Sequence, residues 1–118
     1  MATRPLTRTS VHTLLLLLLT AGIARAAAEP VRPRARAEAA ALYQHSLGLL
    51  ARGTVEARRG ALQDLERATL LEPDNATYEL TLARAYQAAG FLRGARDRYA
   101  RVTRIRPDDV AGHVGLAE

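Results

Sequence analysis

A register of 34 residues runs through the chain from Gly60 onward. Pro73 and Pro107 are 34 apart, and the same offset carries Gly60 onto Gly94, Ala61 onto Ala95, Leu65 onto Tyr99, Ala68 onto Val102 and Leu71 onto Ile105. It also carries Arg67 onto Arg101, Asp74 onto Asp108, Leu82 onto Leu116 and Ala83 onto Ala117. Bulky and small positions recur separately, so the match is a register and not a by-product of composition. A period of this length marks a repeated supersecondary unit that buries its apolar face only when a neighbour stacks on it. Inside the unit the periodicity is helical. Tyr78, Leu82, Ala85, Tyr86 and Ala89 form one apolar stripe, and Leu92, Ala95, Tyr99, Val102 and Ile105 form another. Composition agrees: 24 Ala and 19 Leu dominate 118 residues, while β-branched and aromatic residues are sparse, which excludes an all-β fold.

Local signals set the element boundaries. Asp74 or Asn75 caps the helix after Pro73, and Asp108 or Asp109 does the same after Pro107. Ala89-Gly90 ends the intervening helix through a left-handed residue. Helices are expected near 36–52, 55–71, 76–89 and 92–105, with a stub from 110. Small residues at Ala61, Ala68, Ala83 and Ala95 let neighbouring helices approach closely.

The period and these residues resemble the tetratricopeptide repeat, a 34-residue helix–turn–helix unit. Residues 76–109 carry the resemblance best. Leu82 and Ala83, then Tyr86, Gly90, Ala95, Tyr99, Val102 and Pro107 fall where the family has its large, small, aromatic, turn and closing residues. Glu79 departs from the pattern: it stands where the family usually has a bulky residue, with Tyr78 beside it to fill the space. Residues 37–75 read as a degenerate first repeat. There Leu47-Gly48 are matched to Leu82-Ala83, the tyrosine place falls on Ala51, and the turn near Gly53-Thr54 is one residue longer. Residues 110–118 begin a third repeat. The resemblance implies an all-α fold of tandem repeats stacked as a short right-handed α-solenoid. Two repeats and a stub are a marginal core, since solenoids need about three units and a polar cap. Leu116 is left without a partner helix. The expectation is the N-terminal part of a longer protein, or homo-association through the open C-terminal end.

The chain opens on a different pattern. Arg4 and Arg8 precede an apolar core at 14–24 with six consecutive leucines, and Ala24-Arg25-Ala26 offers a small-x-small site. Residues 1–26 therefore read as a secretory signal peptide cut before Ala27. The apolar core is too short to span a bilayer, although an uncleaved anchor is the alternative. No twin arginine is present, so general export is the simpler route. Residues 27–36, with Pro30 and Pro33, read as a linker. The destination is the periplasm or the extracellular space, with membrane attachment only if the signal stays.

The formal charge of +5 comes from 17 Arg, no Lys and 12 acids. Removal of Arg4, Arg8 and Arg25 leaves 14 Arg against 12 acids, or +2, which disfavours nucleic acid as a partner. The absence of Cys excludes disulfides, thiolate zinc sites and acylation on cysteine. His12, His45 and His113 are isolated, and Ser10 and Ser46 stand outside any elbow motif. No catalytic, metal or cofactor-binding residues are expected, and no cofactor is implied.

What remains is surface. The resemblance implies that the first helix of each repeat lines a groove for an extended or helical peptide. The positions that match are Arg84 and Gln87, with Thr77 and Ala88, in the second repeat, and His45, Leu49 and Arg52 in the first. Arg52 and Arg84 together suit a peptide carboxylate; the plainer reading is two solvated arginines. The second helix of the second repeat carries Arg93, Arg96, Arg98, Arg101, Arg104 and Arg106 against Asp97 alone. Arg98, Arg101 and Arg104 are candidates for an anion surface, or for a solvated outer face. The functional expectation is an exported, non-enzymatic scaffold docking a protein or peptide partner. The alternatives are the docking end of a longer exported enzyme or multidomain protein, and an envelope-anchored assembly factor.

Overall fold

The computed structural model describes residues 33–118, and the expected signal at 1–26 lies outside them. The described residues form five helices and no strand: α1 (Pro33–Arg52), α2 (Val55–Leu71), α3 (Ala76–Ala88), α4 (Leu92–Ile105) and α5 (Val110–Ala117). The expected boundaries for α2 and α4 are reproduced, and α3 is one residue shorter. Pro33–Arg36, expected to close a linker, instead begin α1. Proline fixes φ near the helical value, and its missing N–H is a donor that a first turn leaves unused.

The turns are built by the residues that signalled them. Thr54 Oγ1 accepts from Ala57 N at 3.1 Å, Asn75 Oδ1 from Tyr78 N at 3.2 Å and Asp109 Oδ1 from Gly112 N at 2.9 Å. Each satisfies a backbone donor left over at a helix start. Gly90 adopts φ +83°. Phe91 N then donates to Tyr86 O and Gly90 N to Gln87 O, at 2.9 and 3.0 Å. Phe91 sits edge-on to Tyr86, ring centres 6.0 Å apart. These two hydrogen bonds with their apolar contact make a Schellman stop to α3.

Each helix packs on the next, most closely within α1/α2 and α3/α4. Both pairs are antiparallel. Glu38 meets Arg67 and His45 meets Asp64 across the first, while Glu79 meets Arg98 and Arg101 across the second. Alternate helices run parallel. The Tyr43 ring lies 4.7 Å from the Tyr78 ring, joining α1 to α3, and Gln87 of α3 bonds Glu118 beside the end of α5. The core has three linked clusters. Ala39, Ala68 and Tyr78 join α1, α2 and α3; Leu62, Leu65, Leu82 and Ala85 join α2 to α3; Ala83, Ala95 and Tyr99 join α3 to α4. Leu116, expected to lack a partner, packs against the last of these.

The first pair departs from the expected register. Near the end of α1 the fully buried small residue is Ser46 and not Gly48, whereas Leu47 is 37% exposed and Gly48 is open on its surface. A Cβ built on Gly60 would lie 3.1 Å from Leu49, and one on Gly94 would lie 3.1 Å from Tyr86. Leu49 therefore holds the place of Tyr86, and Ser46 that of Ala83. The connection between α1 and α2 is two residues, against three between α3 and α4, so it is shorter and not longer. The additional length is helical. α2 starts five residues before Gly60, whereas α4 starts two before Gly94, which adds about one turn to α2.

Candidate functional site

The groove candidates separate into two groups. Arg84, Gln87, Thr77 and Ala88 all lie on α3. Arg84 is exposed beside an open hollow of about 490 Å³, lined also by Gln87, Tyr99, Val110, Ala111, Val114, Gly115 and Glu118. This hollow is built by α3, α4 and α5, with an arginine and a carboxylate on its rim and valines in its wall. Burial raises the Tyr99 hydroxyl above its ordinary value of 10, an effect that the Arg84 charge opposes.

Gln87 is committed to the protein. Its Nε2 donates to Glu118 Oε2 at 2.8 Å and its Oε1 accepts from Tyr99 Oη at 2.7 Å. It thus ties α3 to α4 and α5, and a peptide has to displace those bonds to use it. Thr77 Oγ1 accepts from Arg106 Nη2 at 2.9 Å.

His45 and Arg52 do not join this face. His45 Nδ1 lies 2.6 Å from Asp64 Oδ2, so its imidazole turns toward α2. Its side chain stays 68% exposed while it makes that contact. Arg52 is exposed at the last residue of α1 and has no place in the lining of the Arg84 hollow. The hollow leaves the paired Arg52–Arg84 clamp without a shared site.

Two arginines of the expected anion surface are engaged with a buried acid. Glu79 is fully buried, and two arginines close on it. Arg98 Nη1 donates to Glu79 Oε2 at 3.2 Å and Arg101 Nε to Glu79 Oε1 at 2.9 Å. Arg101 Nη2 also reaches the Pro73 carbonyl at 3.3 Å. A buried carboxylate is tolerated only when it is paired and hydrogen-bonded. Both guanidinium groups are therefore engaged across the second helix pair, with their side chains still partly exposed. Arg104 alone of the three stays exposed, beside a small hollow with Asp74, Arg101 and Ile105. One signal in the sequence pointed to the triad: an acid within an apolar stripe requires a cation, and Arg98 and Arg101 share a face of α4 one turn apart.

Among the described residues no cluster of His, Cys, Asp or Glu is arranged to hold a metal ion. None of their helices is long and apolar enough to cross a membrane. Compared with models of known protein families and with curated protein sequences, the chain matches none.

Proposed function

We propose that this chain is an exported scaffold of tetratricopeptide type, stacked as a short right-handed α-solenoid, that holds a partner peptide against the α3–α5 face. The observation that carries the reading is the hollow of about 490 Å³ beside Arg84. Its volume lies within the roughly 300–1,000 Å³ of ligand pockets. Val110 and Val114 are exposed at its wall and offer apolar contact, while Arg84 offers a planar donor pair for a carboxylate. The parallel order of α1, α3 and α5 supports stacking, because it repeats one helix pair along a line. Export rests on the charged, leucine-rich and small-x-small order of residues 1–26.

The test is a panel of peptides with free or amidated C-termini, titrated into the full chain by fluorescence anisotropy. Arg84→Ala is expected to weaken the free-carboxylate peptides about tenfold, in line with a charge-assisted pair of about 1.5 kcal/mol, and to leave the melting temperature unchanged. Equal loss of binding and of thermal stability defeats this assignment. For export, the exported form should begin at Ala27; a mature N-terminus at Met1 removes the signal peptidase step.

A further inference from the structure

The turn end of the molecule carries a second feature, independent of the Arg84 face. Val55, Arg58, Arg59 and Leu62 of α2, Ala89 and Phe91 enclose a hollow of about 220 Å³. Val55 is 64% exposed and Phe91 57%, so two large apolar side chains flank it in contact with water. The extra turn of α2 builds one wall. Without the residues by which α2 outruns α4 at its start, Val55 is not there to face Phe91. The repeat itself does not call for that turn. Its first residue is apolar and exposed, a placement that costs solubility and contributes nothing to the described core.

The rim is cationic. The arginines in ion pairs among the described residues are Arg36, Arg67, Arg98, Arg101 and Arg106. Arg58 and Arg59 are not among them, yet both line the hollow. Guanidinium groups set beside an apolar recess complement a carboxylate beside an apolar side chain. The recess is smaller than a pocket for a drug-sized ligand, and its size suits one anchoring side chain of the kind that dominates interface energies. A concave recess takes up an inserted side chain, whereas a lipid surface calls for a protruding one.

We propose that this recess is a docking site for an acidic segment of a partner protein, which inserts one aliphatic or aromatic side chain between Val55 and Phe91 and sets flanking Asp or Glu against Arg58 and Arg59. The probe is a display library of random dodecapeptides panned on the full 118-residue chain. Enriched peptides are expected to carry one large apolar residue flanked by acids. Their affinity should fall at least tenfold in Val55→Glu and in the double variant Arg58→Glu, Arg59→Glu, and stay unchanged in Arg84→Ala. All three altered positions line the recess, and circular dichroism melts verify that the variants fold. A variant that fails to fold is replaced by Arg58→Ala, Arg59→Ala, for which a threefold or greater loss is required. The proposal is overturned if no such pattern is enriched, or if the peptides bind Val55→Glu as tightly as the parent. It is equally overturned if the chain instead sediments with phosphatidylglycerol vesicles and the same variants abolish that binding. Loss in Arg84→Ala with no loss in the rim variants supports the α3–α5 face and refutes this one.

Discussion

Glu79 has no contact with water, and both of its oxygens are occupied by guanidinium donors from the facing helix. Stripping the arginines from that carboxylate strands a buried charge in a low-dielectric setting, a loss larger than the attraction itself, whereas the side chains of Arg98 and Arg101 are 29% and 39% exposed and keep access to water. The double variant Arg98→Ala, Arg101→Ala should therefore cost about 3 kcal/mol, while Arg98→Ala alone should cost less because Arg101 still pairs with the carboxylate. Urea melts of the single and double variants, arranged as a double-mutant cycle, measure this. A coupling of about 0.5–3 kcal/mol between positions 79 and 101 is expected. An Arg98→Ala, Arg101→Ala double variant that melts with the parent refutes the buried triad. The residue scale is also where the sequence was least readable. An acid in an apolar stripe calls for a cation, but Arg98, Arg101 and Arg104 follow one another at the same helical spacing, and only the contacts with Glu79 distinguish the first two.

Helix boundaries were legible because their determinants are local: Asn75, Gly90 and Asp109 act within a turn of themselves. The register between helices was less so. A serine and a glycine both read as small residues, and nothing near Gly48 reveals that Ser46 is the one that meets α2. Two glycines give opposite predictions from this geometry. A Cβ on Gly48 meets nothing within 4 Å, so Gly48→Ala should stabilise α1 by about 0.5–1 kcal/mol, the helix-interior cost of glycine. That gain corresponds to about 4–8 °C per kcal/mol in a domain of this size. Had Gly48 been the buried small position, the same change would have been destabilising. A Cβ on Gly115 instead overlaps the Tyr99 ring, itself buried against Ala83 and Ala95. Gly115→Ala should lift α5 away, breaking the Gln87–Glu118 bond, at an overpacking cost of about 1–3 kcal/mol that exceeds the propensity gain. Thermal melts of the two variants should move in opposite directions, and a shared direction counts against the assigned helix contacts.

Across the whole molecule the tyrosines sit at the junctions between helix pairs. Tyr78 stacks on Tyr43 where α1 meets α3, Tyr86 lies against Phe91 and bonds Glu66 of α2, and Tyr99 packs among α3, α4 and Leu116 of α5. Burial raises the hydroxyl pKa of all three above the ordinary value of 10; Glu72 adds to this at Tyr78, and the bond to Glu66 adds to it at Tyr86. The sign of the pH dependence follows. Below pH 10 the hydroxyls are protonated in both the folded and the unfolded chain, so they leave stability independent of pH. Above pH 10 the unfolded chain sheds these protons first, so stability falls as pH rises toward the folded pKa values. Because the junctions are coupled in series through α3, loss of one loosens the next. The expected outcome is that phenolate absorbance at these sites rises together with loss of helical circular dichroism, in a single transition displaced above pH 10. Three phenolates appearing at their ordinary pH, with helicity intact, would show that the junctions are not packed in solution.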